Sequence, residues 1–347
     1  MRHSVGMERD MDTESLNIGI AFNACETVPG RQDESISEMA VEKEAGDVFH
    51  ALNSIGHRVS LIPLRRSIPG FLRRISRMDI HVLVNLCEGF MGRTEWEPNI
   101  SGLLEMSGIG FTGNPASALS LCRDKFRTKA VLKSSGLPVP EGVLANDPAQ
   151  EIDLPFPVIV KPNSEDASLG IHPDSVVKDR NGLGIQINRI IKTYRQPALV
   201  ESFIDGREFN VAVMEDSRLH ALPVSEISFT GLPDSSSRIC GYEAKWFEDH
   251  VLFHNTRPLC PAPVPKEVGR NLQKMAIEAF KATGCRDYAR VDFRMDRNSR
   301  CFILEVNPNP DISLNAGFAR ALVAEGISYD TFWERIVRNT LKRMEEA

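Results

Sequence analysis

At 347 residues the chain has room for two or three domains and a large core. Hydrophobic residues at 42% and charged residues at 25% are ordinary globular proportions and exclude wholesale disorder. A net charge of −6 argues against a dedicated nucleic-acid binder and against a polybasic membrane patch. Residues 1–14 read as a flexible polar tail without the apolar core of a signal peptide. No run approaches the ~18 apolar residues of a membrane span. The seven cysteines form no CxxC pair, so neither zinc nor a disulfide framework is indicated, and reduced thiols in a cytoplasm are the simplest reading.

Residues 16–22 (LNIGIAF) read as a buried strand, and a polar loop with Pro29 and Gly30 follows. A helix is expected over residues 36–53, stopped by Gly56. Strands are expected at 57–64, 80–86 and 109–112. This alternation argues for a small parallel α/β unit up to about residue 117. A helix over 124–134 ends at Gly136, and 145–155 is a proline-containing loop. Strands follow at 158–161, 199–203, 208–214 and 220–227. Residues 228–262 suggest a long covering loop. An amphipathic helix over 266–283, strands over 288–295 and 301–306, and two helices near 315–325 and 329–345 complete the chain.

The sharpest chemical signal is YARVDFRM followed by CFILEVN across the turn-like DRNS. Alternation along the first strand puts Arg290, Asp292 and Arg294 on one face. Along the second it puts Ile303, Glu305 and Asn307 together. In an antiparallel hairpin Asp292 and Glu305 then share a face. Two carboxylates and an amide beside an arginine make an oxygen site suited to Mg²⁺ (or Mn²⁺), with phosphates completing the octahedron. A surface hairpin with an Arg–Asp ion pair is the commoner explanation of such residues. It accounts less well for the NPNP run that Asn307 opens.

Two further segments are weaker alone. PVIVKPNSEDASLG delivers Lys161 at a strand end beside a loop of small residues, which suits nucleotide phosphates, although GxxxxGK[ST] is absent. ALVESFIDGREFNVAV places Glu201 and Glu208 around an Asp205–Gly206 turn, where they could serve a nucleotide's ribose, but taken alone the segment favours a plain β-hairpin with solvent-facing acids.

Taken in order, RDKFRTK, VIVKP, VESFIDGRE, YEAKW, ARVDFR and ILEVNPNP resemble the ATP-grasp enzymes, most closely the D-alanine–D-alanine ligase branch. The resemblance covers roughly residues 16–345. It implies a mixed α/β, three-domain architecture: an N-terminal domain over 15–118, a central subdomain over 119–206 and a C-terminal one over 207–347, with ATP between the last two. It implies an ATP- and Mg²⁺-dependent ligase joining a carboxylate to an amine through an acyl phosphate. Carried over residue by residue, Lys125 and Lys161 resemble the phosphate-contacting lysines. Lys245 resembles the lysine of the closing loop. Ser168, Glu201, Ile204 and Glu208 resemble nucleotide-binding positions, with Glu201 on the adenine side and Glu208 at the ribose. Arg290 resembles the arginine that steadies the oxyanion and phosphoryl group, and Asp292, Glu305 and Asn307 resemble the metal ligands.

The departures lie on the substrate side. Ala167 stands where the family has the first of two serines. Trp246 replaces a tyrosine, Asp311 a glycine and Ala316 a serine. Candidates for the acid that holds the first substrate's amine are Glu34, Glu38 and Glu88, and Trp246 and Asp311 join the candidate substrate contacts. Asp311 either caps a helix over 315–322 or pairs with a cationic group. These departures favour small amino-acid-like or peptide-like substrates other than two D-alanines. D-alanine–D-alanine ligation and a non-catalytic ATP-binding regulator are the alternatives. The resemblance suggests a homodimer.

Overall fold

The computed structural model describes residues 14–24, 32–232, 238–242, 245 and 250–346, with only the backbone of 32–39 and 253. Three sheets organise it. The first is parallel, in the order β2-β1-β3-β4, from β1 (Asn17–Asn23), β2 (Arg58–Leu64), β3 (Val82–Leu86) and β4 (Phe111–Thr112). Helix α1 (Gln32–Ser54) crosses from β1 to β2. Helices α2 (Ile68–Ile75), α3 (Glu97–Met106) and α4 (Ala116–Arg123) fill the later connections. The stretches holding α2 and α3 carry no helix in the sequence reading. Each is short, and each begins with a proline in its first turn, a residue that reads as a breaker but suits an N-terminus.

The second sheet runs β5-β8-β6-β7, from β5 (Gly142–Ala145), β6 (Val158–Pro162), β7 (Val176–Val177) and β8 (Ala198–Ser202). Helix α5 (Lys125–Ser134) leads into it, and α6 (Arg180–Tyr194) connects β7 to β8. The third sheet is antiparallel, in the order β12-β11-β9-β13-β14 with β10 beside β9. Its strands are β9 (Gly206–Glu215), β10 (Leu219–Ala221), β11 (Ser225–Ser228), β12 (Arg257–Leu259), β13 (Tyr288–Asp296) and β14 (Cys301–Asn307). Helices α7 (Val251–His254), α8 (Lys266–Ala282), α9 (Gly317–Glu325) and α10 (Tyr329–Glu345) complete the element order.

Three expectations change. The single strand at 220–227 is two, because Pro223 lacks the N–H a ladder needs. The hairpin around Asp205–Gly206 does not form: β8 and β9 belong to different sheets. Gly206 is needed there because a Cβ would fall 2.0 Å from the Met295 carbonyl oxygen. The strict alternation along β14 also breaks. The pairing steps from Asp292↔Glu305 to Phe293↔Ile303, so Leu304 is bulged and Ile303 joins the core with Val306 rather than facing the cleft with Glu305.

One apolar core joins β1 and β3 to α1, and also takes in Met214 and Tyr288 of the third sheet and Phe318, Phe332 and Trp333 of α9 and α10. Asp287, fully buried, accepts from the Gly113 amide at 2.8 Å and from Arg343 of α10 at 2.7 Å. Asn114 donates to the Tyr288 carbonyl at 2.8 Å. No helix among the described residues is long and apolar enough to cross a membrane. The expected tail lies outside the described residues up to position 13.

Candidate active site

Asn163 sets the geometry of the cleft. It follows directly on β6, and its side-chain oxygen accepts from Phe126 N at 3.0 Å while its amide donates to the α5 N-cap Asp124 at 2.9 Å. The strand end that carries Lys161 is thereby fixed against the helix start that carries Lys125. Lys129 lies one turn further along the same helix face.

The cations converge on three acids. Lys125 Nζ lies 3.2 Å from Asp166 Oδ1 and 3.3 Å from Glu305 Oε2. Lys161 Nζ lies 2.6 Å from Glu201 Oε2, and Lys129 Nζ lies 3.0 Å from Glu201 Oε1. Glu201 is 1% exposed. Each of its carboxylate oxygens thus faces one ammonium group. Burial opposes its ionisation, but Lys129 and Lys161 outweigh burial and hold the carboxyl below its ordinary range. Lys129, opposed by burial, drops to about 8 despite Glu201.

On the facing sheet, Arg290 holds Asp292 through two bonds of 2.7 and 2.9 Å, and Asn307 Nδ2 donates to Asp292 at 3.1 Å. Asp292 and Glu305 are register partners, as alternation predicts. Burial disfavours a charged Glu305, yet Lys125, then Lys161, Lys245 and Arg290 pull its carboxyl well below the usual range. Two carboxylates and an amide oxygen on adjoining strands form a hard-oxygen set that fits Mg²⁺. Among the described residues no third acid, His or Cys joins them.

Further along the cleft, Arg294 is buried and pairs with Glu208 at 2.7 Å. It also donates to the Ile204 carbonyl at 3.1 Å. Ser168 Oγ donates to the Cys240 carbonyl at 3.0 Å, which ties the small-residue loop to the covering segment. Ala167 and Ser168 sit at φ of 53° and 63°, consecutive left-handed residues that strain a loop where backbone amides can face a ligand. Lys245 is exposed and still acts electrostatically on Glu305.

On the substrate side, the Glu88 amide donates to Asn23 Oδ1 at 2.8 Å, and burial with Asp311 and Asp166 nearby raises the Glu88 pKa to about 7. Glu34's side chain and Trp246 lie outside the described residues. Asp311 does not cap the helix expected over 315–322. That helix begins at Gly317, its N-cap Ala316 makes no side-chain bond, and Asp311 Oδ1 instead accepts from Ser313 N at 2.9 Å and Ser313 Oγ at 2.6 Å. This is a local Asx turn.

Three residues escaped the sequence reading. Lys129 stood inside RDKFRTK, four positions after Lys125, and that spacing was its signal. Glu97 begins α3 and accepts from Asn309 at 2.9 Å; burial lifts it to about 8. Glu44 of α1 is buried and raised well above its ordinary value by burial, Glu88 and Asp311, against an Ile312 amide bond. Nothing short of the fold places the last two near the cleft.

A family model for the D-ala D-ala ligase C-terminus matches residues 141–338. The D-alanine–D-alanine ligase of Desulforudis audaxviator is 32% identical over 306 residues, covering 85% of this chain and 92% of that one. Protein y4sG of Sinorhizobium fredii is 31% identical over 293 residues, covering 83% and 84%. Among solved structures, D-alanine–D-alanine ligase from Bacillus anthracis complexed with ATP aligns with a TM-score of 0.73 at 20% identity, covering 96% of this chain and 99% of that one. The fold is therefore ATP-grasp. The chain belongs to the D-alanine–D-alanine ligase family of ATP-dependent carbon–nitrogen ligases.

Proposed function

We propose that the chain joins two D-alanines in the cytoplasm at the expense of ATP. The sequence reading ranked other amino-acid-like substrates first; the curated relatives favour D-alanine and reverse that order. The observation that carries the reading is the cluster of cations and acids lining one cleft: Lys125 at 3.3 Å from Glu305, Lys161 at 2.6 Å from Glu201 and Arg290 at 2.7 Å from Asp292. ATP and a carboxylate repel, and a cleft of this kind neutralises charge along an in-line transfer. The γ-phosphoryl group passes from ATP to the first carboxylate, releasing ADP. The second substrate's amine then attacks the acyl carbon and phosphate leaves. Lys125, Lys161 and Lys245 bind the phosphates, while Arg290 and amides near 309–311 stabilise the oxyanion. Asp292, Glu305 and Asn307 would hold Mg²⁺, which supplies charge neutralisation at the phosphates.

A second reading, in which one substrate is another amino acid, is favoured by Asp311, an exposed carboxylate where the family has glycine. ADP release with D-alanine alone, set against a panel of paired amino acids with mass spectrometry of the product, decides between them. Absence of ADP release across the whole panel would leave an ATP-binding regulator.

A further inference from the structure

Glu201 serves two ammonium groups at once, and the two lysines are not equivalent. Lys129 is anchored twice. It pairs with Glu201 and also donates to the carbonyl of Leu304, the residue that the β14 bulge pushes out of the ladder. Lys161, at the end of β6, makes its ion pair with Glu201 alone among the described residues. Both lysines are 5% exposed. The groups facing Lys129 are Glu201 from β8, Lys161 from β6, and Leu304 and Glu305 from β14. The triad therefore carries a net positive charge in a closed space, and its two cations repel each other across one carboxylate.

We propose that Lys129 is a positioning residue for the nucleotide: it holds Glu201 charged and in place when Lys161 leaves that carboxylate for ATP. The proposal rests on the reading of this cleft as the ATP site. The physical case turns on what Lys161 leaves behind. With Lys129 present, its departure leaves a neutral buried pair. Without Lys129, it would leave an unpaired carboxylate out of water, which is strongly unfavourable or is relieved by taking up a proton. A protonated Glu201 carries an O–H donor and accepts more weakly than the carboxylate, so it meets a ligand N–H less favourably. Removing Lys129 thus locks Lys161 onto Glu201, and ATP must break that lock to bind. The Leu304 bond explains why Lys129 rather than Lys161 stays. It fixes the α5 lysine to the sheet across the cleft, whereas the β6 lysine has no second anchor of that kind.

The test uses the full chain and ATP with Mg²⁺, titrated calorimetrically without amino acids, followed by steady-state ADP release. Lys129→Met removes the charge at similar length. Lys129→Gln also removes it but keeps a donor for the Leu304 carbonyl. Both are expected to weaken ATP binding about tenfold or more while the KM for D-alanine stays within twofold. In a Glu201→Gln background, where no buried carboxylate needs a partner, Lys129→Met should have little further effect on ATP affinity. Unchanged ATP affinity in the variants would overturn the proposal. So would a parallel rise in both KM values, or full retention of ATP affinity by Lys129→Gln alone, which would assign the effect to the Leu304 bond. If Met fails to fold, the Gln variant and the Glu201→Gln double variants read the same effect. A wild-type chain that binds ATP but releases no ADP with any amino acid overturns the ligase reading and leaves the positioning role intact.

Discussion

Asp292 and Glu305 face each other across the β13–β14 ladder, one step before the bulge at Leu304. The bulge interrupts the pairing beside the two acids, and it leaves the Leu304 carbonyl to Lys129. Glu305→Gln keeps the volume and removes the charge that Lys125 and Arg290 face. Turnover should fall on the order of 10²–10³-fold, in line with losing one preorganised electrostatic group. ADP release under saturating ATP measures it. Activity within tenfold of wild type would remove Glu305 from the metal set.

Lys161→Ala and Lys245→Ala should part company. Lys161 is buried against Glu201, whereas Lys245 is exposed. Lys161→Ala should lower stability by about 1–3 kcal/mol, the scale of a lost partner for a buried charge, softened because Lys129 remains. Lys245→Ala should leave thermal melting unchanged and raise the KM for ATP. Equal melting shifts in the two variants would contradict the burial difference.

Glu97 and Glu88 predict an alkaline loss of stability. Their folded-state pKa values are raised from 4.5 to about 8 and about 7, chiefly by burial. Between these limits the folded chain holds protons that the unfolded chain has released, so stability is greatest at the acid end of that window and falls as pH rises through it. Glu305 acts in the opposite direction at lower pH: its depressed value contributes stability that is lost on acidification. Thermal melts from pH 5 to 9 should show the decline, and Glu97→Gln, which keeps an acceptor for Asn309, should flatten it. A decline of the same slope in that variant would count against Glu97.

Asp311→Gly tests the Asx turn. Loss of the bonds to Ser313 should cost under about 1 kcal/mol at this exposed position, with the α9 N-terminus unaffected. ADP release with D-alanine should stay within twofold. A change in amino-acid preference would favour the second substrate reading.

The third sheet and the pairing of Asp292 with Glu305 are legible because strand alternation is a local property: YARVDFRM and CFILEVN state their faces within a few residues each. The bulge is not, since a single unpaired residue leaves no trace in apolar spacing. Glu201 and Glu208 were found, while the sheets they stand in were not separated, because a DG turn reads the same whether its strands pair or part. Glu44 and Glu97 come from elements far along the chain that meet the cleft only through tertiary packing. Lys129 is the instructive miss: it stands one helical turn from a lysine already singled out, on the same helix face.

The core that links β1 and β3 to Phe318, Phe332 and Trp333, and the Asp287–Arg343 bond that reinforces it, make the two ends of the chain one mechanical unit. A chimaera that borrows the N-terminal sheet from a relative would meet α10 with mismatched side chains. Such a graft has to carry the last helices along with the first sheet, even though the second and third sheets lie between them in the sequence.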